Sequence, residues 1–88
     1  MKWPHDVCAL AAEAAREWCV DGDDISDPSC RDPLVIRARH WMWHRLRERV
    51  DYQRRHLYTQ QRIGDLFSVT RAAVNSALLY EHKKVVRP

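Results

Sequence analysis

An all-α fold, a small helical bundle, is predicted by three features of this 88-residue chain. It holds only two glycines and four prolines, its apolar residues recur at helical spacing, and no stretch alternates apolar with polar residues as a strand would. A chain of this length makes a single domain, near the lower limit of what folds without disulfide or metal staples.

The first helix is expected from about Pro4 to Cys19. Proline suits a first helical position, and Asp6 complements the positive end of the helix dipole. Val7, Leu10, Ala11, Ala14 and Trp18 then form one apolar face, and Gly22 is expected to stop the helix. An acidic connector, DGDDISDPSCRDP, covers residues 21–33 and has Ile25 as its one clear anchor, on a short helical turn. Asp32 and Pro33 read as N-cap and first position of a long central helix reaching about Gln53. Val35, Ala38, Met42 and Leu46 line its centre, with Leu34 and Trp41 on one side and Ile36, Trp43 and Val50 on the other. Arg37, His40, His44 and Arg47 are left as a narrow solvent-facing strip that is either an ordinary hydrated face or a ribbon touching phosphates.

Two short apolar patterns follow end to end in TQQRIGDLFSVTRAAVNSAL, residues 59–78. Thr59 caps a helix from Gln60 to Phe67, with Tyr58 placed to staple onto Ile63 and with Ile63 and either Leu66 or Phe67 facing inward. Gly64 is small at a point where a second helix is expected to approach closely. Thr70 caps the next helix, Val69 can staple onto Val74, and Val74 and Leu78 are buried beside Ala77. Two helices across so short a turn make a helix-turn-helix, expected over Gln60–Glu81, whose second helix enters the major groove of DNA. Ser68 occupies a turn position where glycine would better accept a left-handed backbone.

Charge supports the same direction. Residues 1–36 carry three Lys/Arg against eight Asp/Glu, net −5, whereas residues 37–88 carry twelve against four, net +8. A basic second half fits a polyanionic partner, most simply double-stranded DNA. Cys8, Cys19 and Cys30 contain no C-x-x-C pair and are odd in number, which fits reduced thiols in a cytoplasmic protein. No signal peptide opens the chain and no run is apolar enough for a membrane helix, so no membrane role is expected. His40 and His44 have the spacing of helical zinc ligands, yet no glutamate follows His40 in an H-E-x-x-H arrangement and no cysteine lies nearby. With neither a phosphate loop nor a nucleophile elbow, no enzyme activity and no cofactor is expected.

The segments VIRARHWMWHRLRE, IGDLF and AAVNSAL together resemble the C-terminal DNA-binding domain of the replication initiator DnaA, which shares its helical architecture with the Trp repressor. The resemblance rests on Ala38-Arg39 opening the central helix, on Ile63-Gly64-Asp65-Leu66-Phe67, and on Val74 and Ala77 at the family's spacing. There are departures. The family's box-reading Asp-His-Ser/Thr-Thr is replaced by Thr70, Arg71, Ala72 and Ala73, and its basic loop survives only as Arg31 and Arg37 among Asp27, Pro28, Asp32 and Pro33. Residues 49–58 are also longer than the family's connection. The resemblance therefore implies a stand-alone, phage- or prophage-type relative turned to transcription regulation, with a target other than the DnaA box. No ATPase module accompanies it, so it is not expected to initiate replication alone.

Counted from the Thr70 cap, Arg71, Ala72, Asn75, Ser76 and Leu79 point away from the buried side and are the expected base readers. Arginine can bond two guanine acceptors, asparagine the donor–acceptor pair of adenine, and alanine a thymine methyl. Thr59, Gln60, Gln61 and Thr70 sit at helix starts suited to phosphate, and Arg54, Arg55, Arg62, Lys83, Lys84 and Arg87 supply sequence-independent attraction. The alternative is a protein-interaction adaptor or replication-associated factor reusing the fold, with the acidic first helix and Trp3, Trp18 or Trp43 as its surface. The two roles are compatible, since a basic face can hold DNA while an acidic one meets RNA polymerase or another regulatory protein.

Overall fold

The structure, a computed structural model, describes the backbone of residues 3–85 and the side chains of residues 3–79. Among the described residues the fold is all-α. Its helices are α1 (His5–Trp18), α2 (Gly22–Ser26), α3 (Pro33–Glu48), α4 (Gln60–Phe67) and α5 (Arg71–Val85). The chain forms two compact units, residues 1–42 and 43–88, and the change from one to the other falls within α3. None of the helices searched is long and apolar enough to cross a membrane.

In the first unit, α1 begins one residue later than expected. Pro4 is its N-cap, and the Pro4 carbonyl accepts from the N–H groups of Val7 and Cys8, both at 3.0 Å. Gly22 is not the stop. Cys19 is, in the left-handed region at φ 54°, with its N–H and that of Val20 both returning to the Ala15 carbonyl. These two bonds satisfy the last turn before the chain reaches Gly22, which instead opens α2. Val7, Leu10, Ala11 and Ala14 are buried as the periodicity predicts, whereas Trp18, in the final turn of α1, is only half-buried. Ile25 is buried on α2, whose Asp21 cap accepts from the N–H of Asp23 at 2.9 Å.

Asp32 caps α3 as expected, accepting from the N–H of Leu34 at 2.9 Å. Val35, Ala38 and Met42 are buried, but the apolar stripe is narrower than the sequence implies, with Leu34 exposed and Ile36 and Trp41 half-buried. Arg39 holds the connector. Its guanidinium donates to the carbonyls of Ile25 at 3.0 Å, Cys30 at 2.9 Å and Asp24 at 2.8 Å, and also to that of Asp27. One side chain thus satisfies acceptors from α2 and from the turn after it.

In the second unit α3 ends at Glu48 rather than near Gln53. The N–H of Arg49 turns back to the Leu46 carbonyl, and the chain reverses through an isolated antiparallel bridge between Val50 and His56. Asp51 sets the turn, its carboxylate accepting from the N–H groups of Gln53 at 2.8 Å and Arg55 at 2.9 Å. A carboxylate that binds backbone N–H groups ahead of it competes with continued helix, which is the local reason for the early end. Val50, expected on the apolar stripe, is consequently exposed. The core of this unit is Trp43, Leu46, Tyr58, Ile63, Phe67 and Val74. Trp43 and Phe67 meet edge to face at 5.6 Å between ring centroids. Leu78, expected in that core, is half-buried, and α5 continues past Glu81 to Val85.

Candidate nucleic-acid interface

Helix α4 starts at Thr59, whose hydroxyl accepts from the N–H of Arg62 at 3.1 Å. It ends at Ser68, in the left-handed region at φ 60°, where the N–H of Val69 returns to the Gly64 carbonyl at 2.9 Å. Only Ser68, Val69 and Thr70 separate α4 from α5, and the Thr70 hydroxyl caps α5 by accepting from the N–H of Ala73 at 3.1 Å. Gly64 is what permits so short a turn. A Cβ there would lie 2.7 Å from the Val69 carbonyl oxygen and 3.4 Å from the Arg71 nitrogen. The close segment is the turn backbone itself.

That turn fixes the phase of α5. Val74 is buried, and Arg71, Ala72, Asn75, Ser76 and Leu79 are all exposed. The five residues expected to read bases therefore share the outward side of one helix. Asn75 is not idle there, because Gln60 Nε2 donates to Asn75 Oδ1 at 3.0 Å and joins the start of α4 to the middle of the exposed α5 face.

Beside this face lies an open cleft of about 570 Å³ lined by Arg47, Thr59, Gln60, Gln61 and Arg71. It gathers Arg47, the beginning of α4 and Arg71 at the start of α5, and among the described residues no carboxylate lines it. Residues from three helices thus meet where backbone N–H groups and guanidinium groups both favour an anion. Arg47 is the member that the helical phase of α4 and α5 does not reveal. It is half-buried rather than solvent-facing, and it donates to the Tyr58 carbonyl at 3.1 Å, held 11 residues away by the loop. The strip expected along α3 is accordingly not a hydrated ribbon, since among its members only Arg37 is exposed while His40, His44 and Arg47 are half-buried.

The remaining cations differ in their freedom. Arg55 pairs with Asp51 at 3.3 Å, and Arg62 lies over the Tyr58 ring at 5.3 Å. Gln61 donates to Asp65 at 3.0 Å. Arg54 sits in the left-handed region at φ 64° with its side chain exposed. Asp51 is held below the usual carboxylate range, first by the Arg55 N–H and, against an opposing effect of burial, also by the Gln53 N–H and the Arg55 guanidinium. The side chains of Lys83 and Lys84, and Arg87 as a whole, lie outside the described residues. Compared with known proteins, the chain matches no family model, no curated protein and no solved structure.

Proposed function

We propose that the chain binds double-stranded DNA with α5 in the major groove and regulates transcription. The observation that carries this reading is the outward side of α5, where Arg71, Ala72, Asn75, Ser76 and Leu79 are exposed together beside the arginine-lined cleft. In this reading Arg71 pairs with guanine acceptors, Ala72 meets a thymine methyl, Thr59, Gln61 and Thr70 hold phosphates at the helix starts, and Arg47 holds one from the last turn of α3. The net +8 of residues 37–88 supplies the sequence-independent attraction, and the resemblance of residues 35–48, 63–67 and 72–78 to the DnaA DNA-binding domain supports the same assignment.

The test is fluorescence anisotropy on random duplex DNA across a salt series, followed by selection from a randomised duplex library. A log-affinity that falls linearly with log salt, with a slope of about 0.9 per phosphate held, is the expected result. Arg47→Ala should lower that slope and weaken all duplexes alike. Absence of salt-dependent binding would reject the reading and move the acidic residues 1–36 forward as the surface of a protein-interaction adaptor.

A further inference from the structure

Asn75 and Gln60 belong to different helices, yet their side-chain amides meet at 3.0 Å. Asn75 is exposed on the outward side of α5, and Gln60 is half-buried at the first position of α4, where it also lines the cleft with Arg47 and Arg71. A carboxamide carries one acceptor oxygen and one donor nitrogen. When one amide donates to the other, the Gln60 oxygen and the Asn75 nitrogen remain uncommitted. Exchanging the oxygen and nitrogen of both groups together again leaves one free oxygen and one free nitrogen, so the pair keeps one donor and one acceptor in both arrangements.

We propose that Gln60 and Asn75 act as a single reading unit that recognises adenine in the major groove, and that Gln60 is a base reader and not a phosphate contact. The proposal rests on the DNA-binding reading and goes beyond it by naming a second specificity residue and the base it helps select. Adenine presents one acceptor, N7, beside one donor, the N6 amino group. The coupled amides present the matching donor and acceptor. Asparagine alone can also offer such a pair, but an exposed Asn75 is free to rotate and presents either order. The bond to a half-buried Gln60 couples the two amides, so that they turn together and always leave one donor and one acceptor, which lowers the ordering cost when DNA arrives.

The experiment uses the full chain and the preferred duplex obtained by selection, with each base pair of that site substituted in turn. Asn75→Ala identifies the base pair that Asn75 reads, by the position at which discrimination falls, expected at about 10-fold or more. Gln60→Ala should abolish most discrimination at that same A·T pair, leave the salt slope unchanged, and add little to the loss already caused by Asn75→Ala. Gln60→Glu keeps the acceptor and supplies no donor, so preference at that one position should be altered while neighbouring positions keep theirs. Thermal melting of each variant separates these effects from loss of fold, and Gln60→Glu tests the pairing even where Gln60→Ala melts early.

A Gln60→Ala loss that is equal on all duplexes and lowers the salt slope would overturn the proposal and assign Gln60 to phosphate. Loss of discrimination at a different base pair from Asn75→Ala, or purely additive losses, would also overturn it, while leaving DNA binding itself in place. Failure of the parent chain to bind any duplex would instead remove the DNA reading, and the pair with it.

Discussion

Gly64 and Ser68 show how single positions set the geometry of the α4–α5 turn. The space that would hold a Cβ at Gly64 is taken by the Val69 carbonyl oxygen at 2.7 Å, and that oxygen belongs to backbone that cannot swing aside. Gly64→Ala should therefore destabilise the second unit by about 1–3 kcal/mol. Ser68 adopts φ 60° with a side chain that disfavours it, so Ser68→Gly should be neutral or stabilise by up to about 1 kcal/mol. Urea midpoints of the two variants check both signs, and a stabilised Gly64→Ala would mean that the turn opens more easily than this geometry allows. Arg54 offers a cleaner separation of fold from binding. It too is left-handed, at φ 64°, so Arg54→Gly relieves the backbone while deleting a cation. Its melting temperature should hold or rise, while affinity for random DNA falls and the salt slope drops by about 0.9. A slope equal to the parent's would remove Arg54 from the phosphate contacts.

At the scale of elements, α4 is eight residues long and holds no stability of its own. It persists because Ile63 and Phe67 are buried and because Phe67 meets Trp43 edge to face at 80° between ring planes. Phe67→Ala should cost about 3–5 kcal/mol, a large part of the stability of so small a domain. A Phe67→Ala protein that melts within a few degrees of the parent would contradict this core. The 49–58 loop makes a pH-dependent contribution. The folded pKa of Asp51 is depressed by the N–H donors of its own turn, so the stabilisation is present above the unfolded carboxylate value of about 3.9. It is lost as pH falls through the lower folded value. The Arg55 amide resonance should titrate with that depressed midpoint in the parent and not in Asp51→Ala. An Arg55 amide that titrates at the ordinary carboxylate value would show that the turn is not closed by Asp51.

For the whole molecule, charge is divided along the sequence, net −5 over residues 1–36 and net +8 over residues 37–88. In the proposed reading the basic part would attract DNA, with an effect on rate and affinity that weakens as salt screens it. The thiols are expected to serve neither part. Cys8, Cys19 and Cys30 form no disulfide among the described residues, and Cys19 lies in a left-handed position that glycine adopts without strain. Replacing Cys8 and Cys30 with alanine and Cys19 with glycine should leave DNA affinity unchanged and should not lower the melting temperature by more than a few degrees. A large loss of affinity on thiol replacement would tie the cysteines to function.

What the sequence alone determined about this protein lies within single helical turns. The caps Asp32, Thr59 and Thr70 each bind an N–H two or three residues ahead, and the burial of Val7, Leu10, Ala14, Ile63 and Val74 follows a 3.6-residue period. Interactions so short are written in adjacent letters, which is why the helix starts, the brief turn and the outward side of α5 were all legible. Tertiary structure decided the rest. The 49–58 loop is tied back to the end of α3 by Arg47 reaching the Tyr58 carbonyl and by the His56 ring meeting the Arg47 carbonyl at 2.8 Å, across 11 and 9 residues. Arg39 finds its acceptors 9 to 15 residues earlier in the chain, and Gln60 meets Asn75 across 15. Periodicity is blind to such pairs, because it reports which side of a helix a residue occupies and not what the fold brings to that side. The composition of the Arg47 cleft and the coupling of Gln60 to Asn75 therefore emerge only once the helices are in place.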